Sequence, residues 1–220
     1  MMTRMALCAA AVTLASGIVL AQAPNGGGPG PVLGIVEIPK MFAFDPKTGR
    51  LEPRGALTLY TRPDSSSREA ATITAPQAID DAEYGYEEPG ALVYRREAGY
   101  YLIRTARGTA WLAPEDAGPF HSFEMLVSDG LAYLTGAWDG FVSTSPGNAA
   151  RTRVQRNAQG NDDVEVTGFR RVGGTLWFQV DVMSQRFCTS DPPAPAKARG
   201  WIRAHDDSGA PTVWFHSRGC

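Results

Sequence analysis

The sequence predicts an all-β protein assembled from two units in tandem. Three observations carry that expectation. Apolar and polar residues alternate over short windows; Gly, Pro, Asn and Asp interrupt the alternation at intervals of about ten residues; and one pattern of strands and turns occurs twice in the same order. Turn signals stand at "DPKTG" (45–49), "SDG" (128–130), "WDG" (138–140), "SPGN" (145–148) and "VGG" (172–174). No stretch carries a convincing helical period. The Trp138-Asp139 dipeptide is no propeller signature, because a propeller needs several blades of roughly 40 residues each.

The amino terminus, "MMTRMALCAAAVTLASGIVLAQA", reads as a secretory signal over residues 1–23. Arg4 supplies the positive start, Met5 to Leu20 the apolar run, and Ala21 and Ala23 the small residues before a cleavage point. A membrane span needs about 20 apolar residues. This run is shorter and is diluted by Thr13, Ser16 and Gly17, so no stable membrane insertion is expected after cleavage. Cys8 lies too early in the run to end a lipoprotein signal. Residues 24–54 then combine a flexible start, "NGGGPGP", with lead-in strands from "VLGIVEIPK" onward.

The internal comparison fixes the two units at 55–118 and 138–220. "ALTLYTRPDSSS" matches "WDGFVSTSPGNA", a strand ending near a proline and followed by a small polar loop. "LVYRREAGYYLIRT" matches "VTGFRRVGGTLWFQVDV": an aromatic, two arginines, a glycine turn, then a strand with two adjacent aromatics. "TAWLAPED" matches "RGWIRAHD". Between them, 119–137 is rich in apolar residues and alternates around Ser128-Asp129-Gly130, which predicts a connecting β-hairpin rather than a loose linker.

Each unit resembles the bacterial SH3 domain family on three short motifs. The first-strand motif is "LYTRP" in one unit and "VSTSP" in the other. The central strand is Gly99-Tyr100-Tyr101-Leu102-Ile103, then Leu176-Trp177-Phe178-Gln179-Val180. The closing strand is Ala110-Trp111-Leu112, then Gly200-Trp201-Ile202. The first unit has Ala110 where the family has Gly, and the second carries a Pro-rich insert, "SQRFCTSDPPAPAKARG", in place of a tight hairpin. The resemblance implies two small SH3-like β-barrels packed together, without enzymatic activity or cofactor. It further implies binding of a cell-envelope ligand, a peptidoglycan stem peptide or a partner protein.

Because successive strand residues face opposite sides, Tyr101, Ile103 and Leu112, with Phe178, Val180 and Ile202, are expected to fill the barrels. Tyr100 and Trp177 then face outward with Leu102, Arg104, Gln179 and Asp181. Two readings compete for these aromatics: a cover over a neighbouring loop or repeat, or a ligand platform. Tyr84, Tyr86, Tyr94, Tyr100 and Trp177 form the candidate ligand-binding set.

Removing the leader leaves Cys188 and Cys220. An even pair in an exported protein reads as a disulfide, worth roughly 3 to 4 kcal/mol in the chain-entropy model. The formal net charge of −2 becomes −3 when Arg4 departs, so no basic footprint for nucleic acid is present. His121, His205 and His216 lack metal-ligand spacing, and "HDDSG" (205–209) reads as a solvated turn. Asp80-Asp81 and Asp162-Asp163 fall at comparable places and read as solvated edges. The terminal "WFHSRGC" is loosely similar to the nucleophile motif of L,D-transpeptidases but lacks that family's following Arg. A nucleophilic Cys also needs a base beside it. The expectation is therefore a non-enzymatic binding module in the periplasm or outside the cell. The alternative is an envelope enzyme or enzyme inhibitor acting through the C-terminal segment.

Overall fold

In the computed structural model, which describes residues 29–219 apart from 46, 48–49, 54, 75–77, 87, 158–161 and 190–193, the alternating segments form antiparallel sheets. The signal segment 1–23 lies outside the described residues. The first half of the chain supplies β1 (Gly34–Glu37), β2 (Phe42–Asp45), β3 (Arg50–Pro53), β4 (Leu57–Tyr60), β5 (Glu69–Ile73), β6 (Asp81–Gly85), β7 (Glu88–Glu97), β8 (Tyr100–Thr105), β9 (Gly108–Leu112) and β10 (Phe120–Ser122). A helix, α1 (Phe123–Ser128), follows. The second half supplies β11 (Ala132–Leu134), β12 (Phe141–Ser143), β13 (Arg151–Arg153), β14 (Asp162–Val172), β15 (Thr175–Met183), β16 (Ala196–Arg203) and β17 (Val213–Phe215).

The first sheet has eight strands in the order β10-β1-β7-β8-β9-β4-β5, with β6 also on β7; the second has seven, β17-β11-β14-β15-β16-β12-β13. β2 and β3 pair only with each other. Apart from β6, the two orders are the same: a lead-in strand, a three-stranded meander, two further strands, and a last strand that returns to the lead-in. The segments matched in sequence occupy corresponding strands. Neither sheet closes into a barrel among the described residues.

The connecting segment is not a hairpin. β10 pairs with β1 in the first sheet, β11 pairs with β14 and β17 in the second, and the residues between them are helical. Ser122 caps the helix by accepting the Met125 N–H at 3.3 Å, and Phe123 and Val127, one turn apart, are both buried. Six residues are too few for a helical period to stand out against flanking strands.

Both meander turns use left-handed backbone, as tight hairpins require: Ala98 and Gly99 (φ 50° and 84°) in the first sheet, Gly173 and Gly174 (58° and 81°) in the second. Ala98 alone among the described non-glycine residues adopts this conformation. Replacing Ala98 with Gly is expected to raise stability by about 1 kcal/mol, read as a higher midpoint in chemical denaturation.

Registry from these turns shifts the apparent repeat. Arg95 lies opposite Leu102, whereas Arg170 lies opposite Trp177, so Leu102 and Trp177 correspond. The aromatic pair Tyr100-Tyr101 thus sits beside its turn, and Trp177-Phe178 sits two positions further along its strand.

The first sheet is buried on both faces. Val36, Ala91, Val93, Ile103 and Leu112 form one core, while Ile35, Leu92 and Tyr94 join a second core with Val164, Phe178, Val180, Ile202 and Trp214 of the other sheet. Phe123 of α1 enters this shared core, its ring centroid 5.5 Å from Phe178 and 5.7 Å from Trp214. Ile103, Leu112, Phe178, Val180 and Ile202 are buried, as expected. Tyr101 is half-buried and stacks on Phe120, with Arg96 over both rings. Tyr100 shares the face of Leu102, away from Ile103, as alternation expects, but it is buried there rather than presented to solvent. Tyr60, Leu102, Trp111 and Ala113 pack with it, and the Tyr60 ring meets it edge-on at 6.2 Å. Among the described residues no helix is long and apolar enough to cross a membrane.

Candidate functional site

The outer face of the second sheet follows from strand alternation. On β15, Leu176, Phe178, Val180 and Val182 point into the core, so Trp177 and Gln179 point out. On β12, Val142 points inward and Ser143 outward. Cross-strand register then sets two rows. Arg170, Trp177 and Arg203 lie side by side across β14, β15 and β16; Gln179, Trp201 and Ser143 lie across β15, β16 and β12. Each row places a tryptophan between two polar side chains.

Of these residues, Trp177, Arg203, Trp201 and Ser143 open onto a groove of about 220 Å³, while Arg170 and Gln179 do not line it. Trp177 and Trp201, both half-buried, line it with Trp138, Phe141 and Ser143. Its rim carries two ion pairs, Asp139 with Arg151 and Arg203 with Asp207 at 2.6 Å. Arg151 also lies over the Phe141 ring at 4.5 Å and Arg170 over Trp201 at 5.7 Å, which holds aromatic faces and cations together. Asp139 accepts the Phe141 N–H and Trp138 donates its indole N–H to the Phe141 carbonyl, so the short loop between them is fixed. Ser143 is only 4% exposed, but its hydroxyl is not one of the buried side-chain atoms left without a partner, which among the described residues are Asp162 Oδ2 and Trp214 Nε1.

The turn 203–209 separates the groove from a second cavity of about 370 Å³ at the seam between the sheets, lined by Val32, Leu33, Phe123, Glu124, Arg171 and His205. His205 is not solvated. Its Nε2 meets the Val32 carbonyl at 3.0 Å, its ring lies 5.1 Å from Phe123, and burial pushes it down to about 4. The rest of "HDDSG" is a turn, with the Asp206 carboxylate accepting from Ser208 and Ala210.

The acidic pairs are not simple solvated edges either. Asp162 and Asp163 are buried. Asp162 pairs with Lys197 at 2.6 Å, and Asp163 accepts the Phe187 N–H at 2.8 Å and approaches His216 at 3.4 Å. Burial favours the protonated form of Asp163, yet those hydrogen bonds hold its carboxyl below the usual range. Asp80 accepts the Tyr94 hydroxyl and pairs with Arg104 at 2.7 Å, while Asp81 is exposed.

The five aromatics singled out in sequence do not meet at one place. Only Trp177 lines the groove. Tyr94 is a core residue. Tyr84 stacks on His121 at 4.6 Å, and burial together with Glu37 and Glu88 pushes its phenol up to about 12. Tyr86 is 67% exposed with Arg218 over its ring, away from the groove residues. Tyr100 belongs to the packed aromatic cluster of the first sheet. Trp201, Ser143, Arg203 and Asp139 with Arg151 complete the groove. Alternation alone turns Trp201 the same way as Trp177, but placing them together needs the register across the 184–195 insert, which sequence does not supply.

The disulfide expected between Cys188 and Cys220 lies outside the described residues and side chains. Among the described residues no group of three His, Cys, Asp or Glu side chains gathers to hold a metal ion. The Ser217 hydroxyl donates to Glu83 at 3.3 Å rather than to His216. No protein-family model matches the chain, and neither does any curated protein or solved structure.

Proposed function

We propose that the chain is an exported, non-enzymatic binding module made of two tandem SH3-like units, and that its second unit takes a cell-envelope ligand in the Trp177–Trp201 groove. The ligand classes that follow from the SH3 resemblance are the peptidoglycan stem peptide and an envelope partner protein. The observation that carries the reading is the contrast between the two outer faces. In the first sheet Tyr60, Tyr100, Leu102 and Trp111 pack on one another, whereas in the second the corresponding face leaves two tryptophans lining a groove with charged groups at its rim. Aromatic side chains with one apolar face and adjacent polar groups are the usual lining of binding clefts.

Sedimentation with purified peptidoglycan sacculi, alongside capture from an envelope extract, tests the reading. The wild-type protein should pellet with sacculi or retain one defined envelope protein, and Trp177→Ala should lose that retention. A wild-type protein that is recovered in the supernatant and captures nothing would remove the proposal.

A further inference from the structure

We infer that the open edge of β13 is a second binding surface, at which an extended acidic segment of a partner protein adds a strand to the second sheet. The surface is distinct from the Trp177–Trp201 groove, although Trp138 and Asp139 line the cavities at both. β13 is the last strand of its sheet and pairs only with β12. Along that pair the Val154 N–H reaches the Gly140 carbonyl at 2.9 Å and the Thr144 N–H reaches the Ala150 carbonyl at 3.4 Å. In an antiparallel pair every second residue exchanges bonds with the strand beside it, so Thr152 and Val154 are bonded to β12 while Arg151 and Arg153 turn their N–H and C=O groups the other way. No strand meets those groups among the described residues.

Charge selects what the edge accepts. Beside the end of β13 lies a cleft of about 650 Å³ whose charged lining is Arg153, Arg156 and Asp139. Asp139 is already paired with Arg151. Arg156 donates to the Thr135 and Trp138 carbonyls, the second at 3.3 Å, and its guanidinium lies 5.2 Å from the centre of the Trp138 ring, so it is held in place without a carboxylate. Arg153 is exposed and has no partner among the described residues. Two guanidinium groups thus stand unneutralised at the end of an unpaired strand. A segment bearing carboxylates supplies their counter-charge while its backbone completes the ladder.

The same arginines disfavour the other occupants. Short strands and charged side chains are the usual guards of an exposed edge, and β13 has three residues with an arginine at each end. A second copy of this edge would set arginine against arginine, and a basic or apolar strand would leave the guanidinium groups unmatched. A guard of this sign turns away every strand but an acidic one.

The experiment titrates the full mature chain with a terminally blocked peptide of alternating glutamate and valine and follows backbone amide hydrogen exchange by nuclear magnetic resonance. Two control peptides accompany it: one with lysine in place of glutamate, and one that keeps the glutamates but is methylated on its backbone nitrogens and cannot donate to a ladder. The acidic peptide should bind and slow exchange at the Arg151 and Arg153 amides by about tenfold, and neither control should do so. Arg153→Gln removes an exposed, unpartnered charge and leaves the fold intact, so it should weaken binding by about fivefold, with the loss shrinking as salt rises. Failure of the acidic peptide to bind would overturn the inference, as would equal binding of the lysine peptide. Equal binding of the methylated peptide would reduce the site to charge alone and overturn strand addition. Slowed exchange at these amides without peptide, growing with protein concentration, would give the edge to another copy of the chain. Loss of retention on sacculi in Arg153→Gln would show that edge and groove take one ligand and would overturn the edge as a separate surface.

Discussion

Truncating Phe178 to Ala is expected to lower the free energy of unfolding by about 3 to 5 kcal/mol, the range for deleting a buried aromatic ring. Phe178 is fully buried in the core that joins the two sheets, edge-on to Phe123 of the connecting helix. Its loss leaves a cavity between elements of both halves of the chain, which strands and helix can refill only by moving together. A stability of 5 to 15 kcal/mol is ordinary for a domain, so this one change removes a large share. Urea denaturation followed by far-ultraviolet circular dichroism measures it directly. A loss below about 1 kcal/mol would mean that the shared core is not where the fold's stability resides.

Acidification from pH 7 to pH 4 is expected to remove about 3 kcal/mol through His205 alone. Burial holds this imidazole at about 4 in the folded chain against an ordinary 6.5. In the unfolded chain it takes up its proton first, so its contribution is complete above pH 6.5 and is lost as pH falls from 6.5 toward 4. Asp163 and Asp206, held below the carboxylate value of 3.8, lose their contributions in a lower window. His205→Gln keeps a donor for the Val32 carbonyl but has no proton to gain. Its stability should therefore be flat between pH 6.5 and 4 apart from carboxylate titration, and a variant that retains the wild-type slope would show that His205 is not the group responsible.

The sequence shows most clearly what local rules decide. Strand β15 alternates from Thr175 to Val182, so Phe178 and Val180 could be assigned inward and Trp177 outward from spacing alone. The glycines at 173 and 174 mark a hairpin because only left-handed backbone closes it so tightly. What escaped depends on distant partners. Tyr100 alternates like an outward residue, yet Tyr60 and Trp111 cover it from other strands. Tyr94 faces away from its own unit's core and would be exposed if the second sheet were not packed there. His205 looks like the start of a polar turn, and it is buried by distant residues, the Val32 carbonyl and the Phe123 ring. Asp162 reads as a surface carboxylate until Lys197, across the insert, is brought beside it. The groove itself combines one residue visible from alternation, Trp177, with others that only the register of β12 and β16 delivers.

The measurement that bears most directly on the outer face of the second sheet as the binding surface is retention of Trp177→Ala on peptidoglycan sacculi, made beside its own unfolding curve and that of Tyr100→Ala. Trp177 is half-buried at the groove, so its truncation should cost only about 1 kcal/mol of stability while abolishing retention. Tyr100 lies in a packed cluster on the other sheet, so its truncation should cost more stability and leave retention intact. Retention lost in Tyr100→Ala but kept in Trp177→Ala would contradict the assignment, as would a Trp177→Ala protein that unfolds as readily as Phe178→Ala.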